Sequence, residues 1–157
     1  MKTIRLLSIL LSFTGLCGLV SSCSEEDKLP NVNMTLTYES GVVSDGMVYI
    51  VQPDDLIVKS INITAVNQGH KATSGPVTYW LNGMSLGTNP EAPFGITIPT
   101  KNLEPGKYAL QLSMPVYEED CELSTATAVV VVNVVADVQE LPDVSDGQEL
   151  NLSYTLR

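Results

Sequence analysis

Apolar and polar residues alternate with a period of two along most of this chain, and that pattern constrains its fold more than any other feature. The alternation is clear in Met34–Tyr38, in Val77–Leu81 and again in Leu150–Leu156. Successive side chains of a β-strand point to opposite faces, so each segment is predicted to be a strand with one buried face. Asn82-Gly83 directly follows the second segment and is a strong hairpin signal. No segment shows a convincing helical period, which predicts an all-β chain.

Further strands are predicted between turn-forming residues at Met47–Val51, Leu56–Val66, Met84–Gly87, Phe94–Ile98 and Tyr108–Met114. One face of Leu56–Val66 is predicted to carry Ile57, Ile61, Ile63 and Ala65. The run Ala126–Val135 is almost continuously apolar, which predicts a strand covered on both faces or nearly so. Six or more short strands with turns about every ten residues favour an antiparallel β-sandwich.

The N-terminus has the pattern of a secretory signal. Lys2 and Arg5 precede the uncharged run Leu6–Val20, which is shorter than the roughly 20 apolar residues that span a bilayer. The run ends in Val20-Ser21-Ser22-Cys23, which resembles the lipobox of bacterial lipoproteins. That resemblance implies cleavage after Ser22 and attachment of acyl chains such as palmitate to Cys23. The alternative is a plain secretory signal cut near Ser22, with Cys23 an incidental thiol.

The residues behind this cysteine refine the expected location. Cys23-Ser24-Glu25-Glu26-Asp27-Lys28 resembles the export signal of surface lipoproteins of the Bacteroidetes type, in which Ser and a short acidic run follow the acylated Cys. The resemblance implies an outer-membrane protein, anchored by lipid and exposed at the cell surface. The alternative is a solvated acidic linker on a lipoprotein that faces the periplasm.

Cleavage before Cys23 divides the chain into a signal peptide (1–22), an acylated tether (23–33), a sandwich (34–135), and an acidic connector with a C-terminal strand (136–157). Removing residues 1–22 leaves 135 residues, in which 6 Lys and Arg face 18 Asp and Glu, so the formal charge becomes −12. Cys17 leaves with the signal and Cys23 carries lipid. Cys121 then has no partner for an intrachain disulfide.

Four short motifs occur in order at Val77–Gly83, Leu86-Gly87-Thr88, Pro93-Phe94 and Leu103–Leu110. The series resembles the middle of bacterial immunoglobulin-like domains, and the resemblance spans roughly residues 54–135. It implies an immunoglobulin-like antiparallel β-sandwich, here without the cysteine pair that joins the sheets in antibody domains. Tyr108 follows the Pro105-Gly106 turn, where a tyrosine corner would sit and bond to backbone upstream.

Charge and composition exclude several classes of function. A chain with 18 acidic and 8 basic residues lacks the basic surface that nucleic acid requires. Cys121 lies among acids (Glu118-Glu119-Asp120 before it and Glu122 after it), which oppose thiolate formation and make a catalytic dyad with His70 unfavourable. The acidic clusters, including the one around Cys121, lack the ligand spacing of a calcium loop, so they are predicted to be solvated, self-repelling loops. The chain is therefore expected to be no enzyme and to hold no metal or cofactor.

Trp80 and Thr78 are the candidate ligand-binding residues. If Val77, Tyr79 and Leu81 point into the sandwich, a period of two sends Trp80 and Thr78 outward. An outward Trp can stack on a sugar ring or on the apolar surface of a protein partner. The alternative is that the tail, or Lys and Gln side chains of a neighbouring strand, cover it.

The C-terminal strand, Glu149–Leu156, has two alternative placements. It either completes a sheet edge in its own domain or adds to an edge of another protein by strand pairing. The expected function is that of a non-catalytic, surface-anchored binding or adhesion module, accessory to glycan capture. The alternative is a structural subunit or anchor of a surface assembly that uses its C-terminal strand.

Overall fold

The computed structural model describes residues 28–157. The signal peptide and the lipid attachment at Cys23 lie outside the described residues. Within residues 28–157 no helix is long and apolar enough to span a bilayer. The strands are β1 (Val32–Tyr38), β2 (Val42–Ser44), β3 (Met47–Val51), β4 (Leu56–Ala65), β5 (Ala72–Ser74), β6 (Val77–Leu81), β7 (Met84–Asn89), β8 (Ile96–Ile98), β9 (Gly106–Glu118), β10 (Ser124–Val135), β11 (Glu149–Asn151) and β12 (Tyr154–Leu156). One 3₁₀ turn, Val138–Glu140, follows β10.

The strands form two sheets. Sheet A has the order β11-β1-β4-β8, and sheet B has the order β2-β3-β10-β9-β6-β7, with β5 paired to β9 and β12 paired to β10. Every pair is antiparallel except β3 with β10, which is parallel. The predicted Asn82-Gly83 hairpin joins β6 to β7, and both residues have positive φ (47° and 80°), as a type I′ turn requires.

The core lies between the sheets and follows the predicted alternation. In β6, Val77, Tyr79 and Leu81 are buried while the two residues between them are partly exposed. The long strand β9 buries Leu110, Leu112, Met114 and Val116 in the same way. Burying a large aliphatic side chain contributes about 1.5–3 kcal/mol, so these alternate positions hold the sheets together without a disulfide.

Two predictions about strand faces were wrong. Strand β10 is covered on one face only, because its alternate residues point outward and Val129 is 56% exposed. In β4, Leu56 and Val58 are buried but Ile57 is not. The pairing with β1 shifts register between Thr37 and Tyr38, and such a bulge reverses which side chains face the core.

Strand bounds differ from the expected segments at several loops. The residues before position 34 are predicted to be tether, but β1 already begins at Val32. The Asn31 carbonyl also accepts a backbone hydrogen bond from the N–H of Val66. Short strands β2 and β5 lie in segments for which the sequence predicts no strand. Strand β9 continues to Glu118, beyond the predicted end at Met114.

The C-terminal segment folds back into its own domain. Strand β11 pairs with β1 in sheet A, and β12 pairs with β10 in sheet B, so the segment crosses from one sheet to the other. The Tyr154 hydroxyl donates to the carbonyl of Val32 at 2.9 Å, which ties the second strand to the start of the first. Of the two placements considered for this segment, the structure has the intramolecular one.

These features make the domain an immunoglobulin-like β-sandwich, as the sequence predicted. The two sheets pack face to face around one core, with β1, β4 and β8 in sheet A and β6, β9 and β10 in sheet B. Tyr108 forms the predicted tyrosine corner, because its hydroxyl donates to the Glu104 carbonyl at 2.8 Å.

Candidate functional site

The outward face of sheet B carries both predicted ligand-binding residues. Trp80 on β6 lies opposite Gln111 of β9 and Ser85 of β7, and Gln111 lies opposite Val129 of β10. Trp80 and Gln111 are partly exposed, and Val129 and Ser85 are exposed. Directly opposed side chains lie about 5 Å apart at Cβ. The Gln111 side chain is therefore next to the indole, which remains partly open to solvent.

A second line of outward side chains runs beside this one. We call it the hydroxyl row, and it crosses five strands at Thr88, Thr78, Ser113, Thr127 and Thr155. The Oγ1 atoms of Thr78 and Thr88 are 2.8 Å apart and share a hydrogen bond. With neighbouring strands about 4.8 Å apart, the row is about 19 Å long.

The hydroxyl row and the line through Trp80 together form an uncharged surface. Each hydroxyl offers a donor and acceptor capacity, the Gln111 amide offers both, and Trp80 and Val129 add apolar area. Nine adjacent outward positions of this face carry no charge, although the chain has 18 acidic residues, and Trp80 adds an aromatic ring to it. Such a surface can contact a ligand rich in hydroxyl groups by hydrogen bonding and ring stacking.

A different kind of cluster lies where β9 ends. The Glu118 side chain is completely buried. One carboxylate oxygen accepts from the backbone N–H of Asn31 at 2.6 Å, and the other accepts from the Asn67 amide at 2.8 Å. The Cys121 thiol also donates to this carboxylate. We call these four residues, together with His70, the Glu118 clasp.

The clasp fastens the N-terminal segment to two loops. Beside the bond from Asn31 to Glu118, the N–H of Glu122 donates to the carbonyl of Lys28, and the N–H of Val66 donates to the carbonyl of Asn31. His70 Nδ1 lies 3.3 Å from Glu118 Oε1, although its geometry makes no hydrogen bond. The start of the described chain is thereby held at this end of the sandwich.

The electrostatics of the clasp keep the carboxylate ionised and the thiol neutral. The N–H of Asn31 is the largest cause that lowers the pKa of Glu118, with help from Asn67 and Cys121 against the effect of burial. Burial, followed by the Glu118 charge, raises the pKa of the Cys121 thiol. A group held as a thiol is a poor nucleophile.

His70 and Cys121, which the sequence predicts not to form a catalytic dyad, lie at the same end of the sandwich. Both line a cavity of about 660 Å³ with Lys28, Leu29, Asn67, Gln68 and Asp120. Both lie beside the Glu118 carboxylate, whose lowered pKa makes it a weak base. No strong base is therefore next to the Cys121 thiol to activate it as a nucleophile. Among residues 28–157 no three His, Cys, Asp or Glu side chains are placed to hold a metal ion.

Sequence reasoning placed Glu118 in a solvated acidic loop and so missed its role. The signal was present in the alternation of β9, where Met114 and Val116 point inward and Glu118 is the next position on the same face. A carboxylate at a core position needs hydrogen-bond donors. Those donors come from residues far away in sequence, which the pattern alone does not indicate.

No protein-family model matches the chain, and no curated protein matches it. Among solved structures, the chain is similar to the fibronectin(III)-like modules of CbhA from Clostridium thermocellum, with 16% sequence identity and a TM-score of 0.41. The match covers 74% of this chain and 52% of that one, so this chain spans about half of that chain's length.

Proposed function

We propose that this protein is an acylated lipoprotein of the outer membrane and a non-catalytic binding module that contacts an uncharged glycan at the cell surface. The observation that carries the binding part is the outward, uncharged surface formed by Trp80 and the hydroxyl row. A formal charge of −12 after cleavage repels acidic polysaccharides, so a neutral glycan is the favoured ligand.

The Glu118 clasp supports a defined orientation of the anchored domain. Four residues, 24–27, separate the acylated Cys23 from Lys28, and the five steps between them reach at most about 18 Å. The Asn82-Gly83 turn lies beside Ala109, nine residues from Glu118 along β9, which is about 30 Å in a strand. In the proposed orientation, the clasp end lies near the bilayer and the hairpin turn points away from it.

The anchor is tested by Cys23→Ala in the full chain. We expect the variant to leave the membrane fraction, because a lipid anchor is the only membrane attachment in the proposal. Cys121→Ala, which removes another thiol, is the matched control and should remain in membranes. Tight association of the Cys23→Ala variant with membranes would contradict the anchor.

The binding face is tested on an array of neutral and acidic glycans with the wild-type chain and Trp80→Ala. Loss of the indole should weaken binding to a neutral glycan by about tenfold or more. Tyr117→Ala is the matched control, since Tyr117 is an exposed aromatic on β9, six residues from Gln111 and about 20 Å away. Equal losses in both variants, or selective binding of acidic glycans, would overturn this assignment.

A further inference from the structure

The β6–β7 hairpin has no charged side chain. The sequence contains no Asp, Glu, Lys or Arg between Lys71 and Glu91, although 18 acidic and 8 basic residues are spread over the chain. The hairpin also carries Met84 at its turn, 62% exposed. It is therefore the part of the surface where another molecule of the same negative charge can approach with least repulsion.

Strand β7 is an open edge of sheet B. In residues 28–157, Met84–Asn89 make backbone hydrogen bonds to β6 on one side and none to any other segment. The other edge strands of the described region (β2, β5, β8, β11 and β12) have three residues each, whereas β7 has six. Short edges offer few groups for pairing, so β7 is the edge with the most free backbone donors and acceptors.

This edge also lacks most of the features that prevent strand pairing. Natural edges are commonly protected by charged side chains, proline or bulges. Strand β7 contains neither a charged residue nor proline. The protective feature that it does have is a bulge, seen as a register shift opposite Tyr79 and Trp80. An exposed, uncharged strand of this length is suited to pair with another strand.

We propose that β7 pairs antiparallel with β7 of a second copy of this chain, about a two-fold axis. A two-fold contact uses the same surface on both molecules, and like charges opposite each other destabilise such pairs. Pairing at β7 places no charged side chain opposite another, because neither copy carries one on this strand. It also joins the outward faces of the two copies' B sheets, so that their uncharged surfaces become continuous.

Disulfide cross-linking in membranes of cells that express the full chain tests this proposal. Single cysteines are introduced at Ser85, Leu86 and Thr88, and an oxidant is added. At least one of these three variants should give an adduct of twice the monomer mass. The amount of this adduct should be about tenfold above the amount that the wild-type chain forms with its native cysteines. Val42→Cys, on the three-residue edge β2, is the matched control and should give no excess. Adducts of another mass, or none, would overturn the proposal in favour of a different partner or a monomer.

A charge on the same edge provides a second test. Ser85→Lys combined with Thr88→Lys should weaken the dimer of the detergent-solubilised full chain by about tenfold or more, measured by sedimentation, while Val42→Lys should not. A wild-type chain that sediments as a monomer at all concentrations would overturn the proposal. Trp80→Ala should leave the dimer intact, so failure of dimerisation and failure of glycan binding give different results.

Discussion

At one end of β9 the Glu118 carboxylate is buried among hydrogen-bond donors, whereas the other end of this strand borders a hairpin without any charged residue. At the clasp end a charge is used inside the protein to fasten a segment. The hairpin itself carries no charged side chain, which leaves an uncharged surface for contact. The position of charged side chains, more than the total charge, therefore distinguishes the Glu118 clasp, which stabilises the domain, from the hairpin that is proposed to bind.

The largest effect on stability is expected from Glu118→Ala. This change leaves the N–H of Asn31 and the amide of Asn67 without their acceptor, and unsatisfied buried groups are costly. We expect Tm to fall by more than about 5 °C. Glu119→Ala, which truncates an exposed neighbouring acid, should change Tm much less. Equal effects of the two substitutions would remove the distinction between the clasp and the loop around it.

Acidification should weaken the clasp in a predictable direction. The pKa of Glu118 is lowered in the folded protein, mainly by the N–H of Asn31, so its contribution is present above its ordinary pKa and is lost as the pH falls through the lowered value. The Tm difference between wild type and Glu118→Gln should therefore shrink in the acid range. A difference that stays constant down to strongly acidic pH would contradict this assignment.

The tyrosine corner at the opposite end of β9 should contribute less. Tyr108→Phe removes one hydrogen bond to the Glu104 carbonyl and should lower the free energy of unfolding by about 0.5–1.5 kcal/mol. Denaturant titration measures the change. Tyr117→Phe, at an exposed ring on the same strand, is the control and should be nearly neutral. A Tyr108→Phe loss as large as that of Glu118→Ala would contradict the ranking of the two ends.

The smallest effect is expected for Thr78→Val. It removes the exposed hydrogen bond between Thr78 and Thr88, and an exposed substitution usually changes stability by about 0.5 kcal/mol or less. The same variant should reduce binding of a neutral glycan, because one hydroxyl of the row is lost. A large loss of stability would mean that the hydroxyl row holds the sheet together and is not free for a ligand.

The sequence predicted the sandwich, the hairpin and the tyrosine corner because each depends on residues close together in the chain. The prediction from sequence failed where a β-bulge changes which side chains are buried, or where a hydrogen-bond partner is distant in sequence. The bulge between β1 and β4 moved Ile57 off the buried face, and the open outer surface of sheet B left Val129 exposed.

Trp80 and Thr78 could be assigned to the outward face by alternation alone, but the hydroxyl row depends on the register of five strands. Glu118 required donors from Asn31 and Asn67, which only the folded chain brings near.

The pairing of β1 has a mechanical consequence for the proposed anchored state. This strand leaves the clasp end and is hydrogen-bonded to β4 along its length and to β11 over Thr35–Thr37. Tension from a membrane tether would act along the axis of β1, so that its bonds on both sides are loaded in shear at the same time. Rupture then requires many bonds to break together, whereas a hairpin pulled from its free end opens one bond after another. The domain is thus arranged to resist force on the side from which the tether would pull.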